Sequence, residues 1–145
     1  MRRTIGSLIS VAALVGCGDR ATPVAGNEPA GVYAYLARIG PFPVVEGTLT
    51  LVLDHDSTIT GTWDLHRSPG SDTTIAVGPQ LGTGTLAGGR TAGVLWLDLN
   101  PGWADNNVVL ALVPGASDAL RGTWGHSTII GPITGGPVAL HRLVR

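Results

Sequence analysis

Residues 47–66, GTLTLVLDHDSTITGTWDLH, decide the fold. Leu49, Leu51 and Leu53 fall at alternate positions, as do Ile59, Gly61, Trp63 and Leu65, and a period of two belongs to a strand with one buried face. Thr48, Thr50, Thr58, Thr60 and Thr62 take the opposite faces, and the polar segment Asp54-His55-Asp56-Ser57 supplies a turn between the two runs. The unit reads as an antiparallel hairpin with one side toward water.

Outward from this hairpin the texture persists. No window beyond residue 30 sustains a helical period, while short apolar runs recur between clusters of Gly, Pro, Asn and Asp. Eight strands are expected: Gly31–Arg38, Gly47–Asp54, Ser57–His66, Leu81–Ala87, Ala92–Asn100, Asn107–Val113, Ala119–Gly125 and Gly136–Leu143, with Thr73–Val77 as a candidate ninth. Turns are expected at Gly88-Gly89 and at Pro114-Gly115-Ala116-Ser117-Asp118. An internal repeat ties the halves together, since Ile59-Thr60-Gly61-Thr62-Trp63 returns as Leu120-Arg121-Gly122-Thr123-Trp124. Strand glycines that make room for a bulky neighbour favour strong curvature. The expected class is all-β, an eight-stranded antiparallel up-and-down barrel, with a β-sandwich as the alternative.

Composition agrees with one compact, turn-rich domain. The chain has 145 residues, 22 of them Gly and 10 Pro, with 13% charged, which fits neither a collagen repeat nor a charged disordered chain. Every basic residue is Arg and the formal charge is −1, so no basic patch for nucleic acid is expected. A single Cys excludes an intramolecular disulfide framework and zinc sites built from several thiolates.

That cysteine sits where an export signal ends. Arg2-Arg3 precedes an apolar stretch from Ile5 to Val15, too short for the roughly 20 residues of a membrane-spanning helix, and Gly16-Cys17 comes next. Leu14-Val15-Gly16-Cys17 resembles the lipobox of bacterial lipoproteins. The resemblance implies removal of residues 1–16, acyl chains on Cys17 and anchorage in membrane lipid, in the cell envelope and preferably the outer membrane; several chains hold far more firmly than one. Residues 17–30, the lipidated Cys and GDRATPVAGNEPA, read as a flexible tether, and 31–145 as the barrel domain.

The start of the domain, Gly31-Val32-Tyr33, resembles the Gly-x-Trp of lipocalins and avidins, with Tyr33 in place of tryptophan. Lipocalins also carry an arginine near the last strand that packs on that aromatic. Here the resemblance implies Arg142 over Tyr33, a cation–π contact of about 0.5–2 kcal/mol. It carries over a barrel and no ligand residues.

Candidate chemistry is sparse. His55, His66, His126 and His141 lack metal-ligand spacing, Asp54-His55-Asp56-Ser57 lacks the remaining ligands of a calcium loop, and no Gly-x-Ser-x-Gly elbow occurs. The run Gly82–Gly89 has the glycines of a phosphate loop but no helix after it, so a hairpin is expected there. No metal, no cofactor and no catalytic residues are expected. Tryptophan is the remaining signal: Trp63, Trp96 and Trp124 are candidate lining residues for a small apolar ligand, or else Trp63 and Trp124 fill the barrel. Trp103, in the predicted loop Asn100–Asp105, is the candidate contact residue for an envelope protein partner, together with the Gly131-Pro132 loop. The leading expectation is thus a lipid-anchored, non-enzymatic barrel that binds a small ligand, and the alternative is an accessory lipoprotein that docks a partner.

Overall fold

The computed structural model describes residues 28–54 and 57–144. Cys17, the signal segment, most of the tether, and His55 with Asp56 lie outside the described residues. Eight strands run in order: β1 (Gly31–Ile39), β2 (Phe42–Leu53), β3 (Thr58–Arg67), β4 (Gly82–Thr91), β5 (Val94–Asp98), β6 (Asn106–Pro114), β7 (Ala119–Thr128) and β8 (Gly131–Val144). Each pairs antiparallel with its sequence neighbours, and β1 pairs with β8, closing an up-and-down barrel. The barrel, and not the sandwich, is therefore the fold.

Interleaving of large and small side chains explains both the curvature and the glycine content. Trp63 faces Gly84 across the ladder, Trp124 faces Gly136, and Gly61 lies between Leu51 and Leu86. Gly88 faces Ile59 and Leu97, while Gly122 faces Leu112 and Val138. A side chain has no room at these places: a Cβ on Gly61 would lie 1.9 Å from the Thr50 carbonyl oxygen, and one on Gly122 1.8 Å from that of Ala111. Small barrels fill their taper in this way. The interior is accordingly packed, with Tyr33, Tyr35, Leu49, Leu97, Leu110, Trp124 and Leu140 all buried.

Three local expectations are corrected. Gly88-Gly89 is no turn but the middle of β4; the chain reverses at Ala92-Gly93, with φ of 50° and 82°. Thr73–Val77 forms no strand but part of the 68–81 connection, whose Val77 is buried against the core. Gly131-Pro132 opens β8, and the exposed turn before it is Ile129-Ile130. Strands β2 and β8 also start five residues earlier than the sequence indicates, at Phe42 and Gly131, because prolines punctuate both runs.

The strand directions give the barrel two ends. The entry end carries residues 28–30, the β2–β3 turn, Ala92-Gly93 and Gly115–Asp118. The far end carries Gly40-Pro41, the 68–81 and 99–105 connections and Ile129-Ile130.

Candidate functional site

The entry end is sealed. The Tyr33 hydroxyl donates to the Pro29 carbonyl at 2.9 Å and accepts from the Arg142 guanidinium at 2.7 Å. Arg142 also donates to the carbonyls of Ala30 and Glu28, and its guanidinium carbon lies 5.0 Å from the Tyr33 ring centroid. The expected contact of Arg142 with Tyr33 is present, and it fastens Glu28–Ala30, the last residues assigned to the tether, onto the barrel. Burial raises the Tyr33 hydroxyl pKa, and the Arg142 charge opposes that shift. The remaining space between Tyr33, Arg90, Asp118 and Arg142 is about 40 Å³, little more than room for a water or two.

The far end is plugged rather than sealed. The 68–81 connection crosses the mouth and inserts Val77 and Gln80, which are 3% and 0% exposed. Gln80 accepts from the Tyr35 hydroxyl at 2.8 Å and donates to the Val77 carbonyl at 2.7 Å, so its amide is satisfied inside the barrel. Asn100 donates to the Pro79 carbonyl at 2.7 Å, tying the plug to the 99–105 connection. Gly78, at φ +73°, lies so close to His126 that an added Cβ would meet the imidazole at 2.7 Å. His126 Nε2 bonds the Asn106 side-chain oxygen at 2.8 Å, and Asn107 donates to Asp98 at 2.9 Å. The buried side-chain polar atoms that lack a partner among the described residues, on Ser68, Ser71, Asn100, Asn107, His126 and Thr128, all belong to this end.

A groove of about 490 Å³ opens beside the plug, between β4 and the 99–105 connection. It exists because β5 is short. Strand β4 pairs with β3 from Gly82 onward, whereas β5 reaches back only to Ala87, and Pro101-Gly102 turns the chain away. Trp63 floors the gap: its indole N–H donates to the Leu99 carbonyl at 2.8 Å and to that of Thr85 at 3.2 Å. Leu81, Thr83, Thr85, Asn100 and Trp103 line the sides. No lining residue carries a charge.

The candidate tryptophans do not converge. Trp63 borders the groove, Trp124 is sealed in the opposite wall, and Trp96 stands 49% exposed on the outer surface between Gly89 and Ala111. Trp103 is exposed, in a loop as expected, and forms the far side of the same groove as Trp63. Sequence reasoning missed Thr83, Thr85 and Asn100, and it missed Phe42, Ile129 and Ile130, all exposed at the far end. The adjacent isoleucines before Gly131-Pro132 were a readable signal, because a turn has no reason to carry two β-branched apolar residues.

His66 and His141 are the other described histidines. His66 meets Glu46 at 3.6 Å on the exposed wall, and His141 is exposed on β8. Among the described residues no three His, Cys, Asp or Glu side chains gather as metal ligands would. No protein-family model and no curated protein matches this chain.

Proposed function

We propose that this protein is an exported envelope lipoprotein, anchored in membrane lipid by acyl chains on Cys17, whose barrel is a non-enzymatic binding module. Its ligand seat is the far-end groove rather than the lumen, which side chains already fill. The observation that carries this reading is the pairing of Trp63 and Trp103 across an uncharged opening of about 490 Å³, within the range of ligand sites and far above the space left at the entry end. An apolar group seated there is covered by two indoles.

Docking of an envelope protein is the second reading, and the far end favours it too. Phe42 at the start of β2, and Leu81, Trp103, Ile129 and Ile130 from three connections, leave 42–87% of their surface exposed there. The entry-end turns Ala92-Gly93 and Gly115–Asp118 are small and polar, and the exposed apolar residues nearest that end, Val52, Val113 and Leu143, lie on strands. Exposed apolar tips gathered at one end mark contact surfaces.

Two experiments test the proposal. Untargeted mass spectrometry of molecules co-purifying with the detergent-extracted full chain should find a ligand that is lost from Trp103→Ala and kept by Trp96→Ala; retention by both variants refutes the groove. Cys17→Ser should abolish acylation and leave uncleaved precursor. Unchanged membrane partitioning without precursor refutes the anchor.

A further inference from the structure

Five residues of β4, Gly82 to Leu86, have a strand on one side and none on the other. The direction of their main-chain groups is set by the turn at the opposite end. Ala92 and Gly93 both have positive φ, as in the mirror-image two-residue hairpin turn, so Thr91 and Val94 form the first hydrogen-bonded pair. Alternation then sends the N–H and C=O groups of Gly89, Ala87, Thr85 and Thr83 toward the β5 side. The Trp63 indole agrees with this assignment, since it reaches the Thr85 carbonyl from that side. Thr83 N–H, Thr83 C=O and Thr85 N–H are left directed into the groove, with no strand to meet them.

An open edge is a template for another chain, and proteins blunt it with proline, charge or a covering segment. Strand β8 shows the protected version. Its residues 131–137 extend beyond the last pair with β1, Val138 with Ala37, and contain Pro132 and Pro137, which offer no N–H. The open run of β4, Gly-Thr-Gly-Thr-Leu, has neither proline nor charge. Thr83 and Thr85 are exposed, and strands favour such β-branched side chains as neighbours.

We infer that the groove takes an extended, uncharged polypeptide segment of a partner protein, which adds to β4 as a strand through Thr83 and Thr85 and lays an apolar side chain against Trp103. This rests on the groove being the binding seat and names the class of its occupant. A compact apolar ligand would cover three main-chain groups without bonding them, which disfavours it. A strand satisfies all three and leaves the Trp63 bond to Thr85 in place.

The probe is an acetylated, amidated pentapeptide of alternating threonine and valine carrying a fluorophore, titrated against the detergent-solubilised full chain by anisotropy. Saturation should slow amide exchange at Thr83 and Thr85, and Thr83→Pro or N-methylation of the peptide amides on one edge should weaken binding by about tenfold or more. Trp103→Ala should weaken it as well. Where Thr83→Pro fails to fold, the N-methylated peptide carries the test alone. Binding that depends on Trp103 but ignores N-methylation and Thr83→Pro overturns strand addition and leaves the groove intact. So does absence of peptide binding at millimolar concentration when a small molecule is lost from Trp103→Ala. Indifference of every ligand to Trp103 overturns the groove itself.

Discussion

The two copies of the Gly-Thr-Trp repeat occupy opposite walls of the barrel, four strands apart, and share one geometry. In each, the tryptophan pairs with a glycine of the next strand, Gly84 or Gly136, and its indole donates to a carbonyl beyond that strand, that of Leu99 just past β5 at 2.8 Å or that of Arg38 in β1 at 3.0 Å. They differ in how the wall closes around the ring. Around Trp124 the backbone of β1 closes down until a Cβ on Gly136 would meet the Arg38 oxygen at 2.2 Å. Around Trp63 the strand that should seal the wall stops at Asp98, and a groove takes its place. The same local code thus builds a wall once and a site once, and strand length decides which.

Truncation of the two indoles should separate these roles most strongly. Trp124→Ala removes a side chain with closed walls around it and should cost about 3–5 kcal/mol. Trp63→Ala opens onto the groove, where water can fill part of the void, and should cost about 1 kcal/mol less. Urea unfolding of both variants checks the difference; equal losses would mean that the Trp63 wall is as closed as its counterpart.

The glycines paired with the two tryptophans give the next contrast. At Gly136 the obstacle to a Cβ is backbone, so Gly136→Ala must shift β1 or β8 and should cost about 1–3 kcal/mol. At Gly84 the nearest atoms belong to the Trp63 ring, 2.4 Å away, and the ring can tilt into the groove. Gly84→Ala should therefore cost less and red-shift tryptophan emission as the indole meets water. A larger loss for Gly84→Ala than for Gly136→Ala would reverse the argument.

Alkaline pH compares the two ends through their tyrosines. Burial raises the hydroxyl pKa of both Tyr35 under the plug and Tyr33 at the entry, but only Tyr33 has a cation, Arg142, to stabilise its ionised form. Above about pH 10 the unfolded chain releases these protons while the folded chain keeps them. Stability is therefore intact below that pH and should fall above it by about 1.4 kcal/mol per pH unit for each retained proton. Tyr35→Phe should flatten the slope more than Tyr33→Phe in chemical unfolding at successive pH values.

The hairpin at 47–66 and the barrel were legible because alternating burial and paired threonines are local signals. The contact of Arg142 with Tyr33 was legible only through a resemblance. Gly88-Gly89 reads as a turn because two glycines ordinarily mark a reversal, whereas in the fold Gly88 makes room for Leu97, and the turn uses Ala92 at a φ that alanine disfavours. Residues 73–77 alternate like a strand, yet Val77 finds its burial by plugging the mouth. The groove left no trace in any single segment. It arises from a mismatch in length between β4 and β5, and lengths of paired strands are a tertiary property.

The smallest effect on stability should accompany the clearest effect on binding. Trp103 and Trp96 are both about half exposed, and neither indole donates a hydrogen bond among the described residues, so replacing either with Ala should change unfolding free energy by no more than about 0.5 kcal/mol. Their surroundings differ. Trp96 stands on a continuous wall beside Ala111 and Gly89, while Trp103 faces Trp63 across the uncharged groove. Circular dichroism melts of both variants should overlay the parent, and only Trp103→Ala should lose the ligand. If Trp96→Ala loses it equally, the binding surface lies on the β4–β5–β6 wall, and the gap beside Trp63 is only a by-product of a short strand.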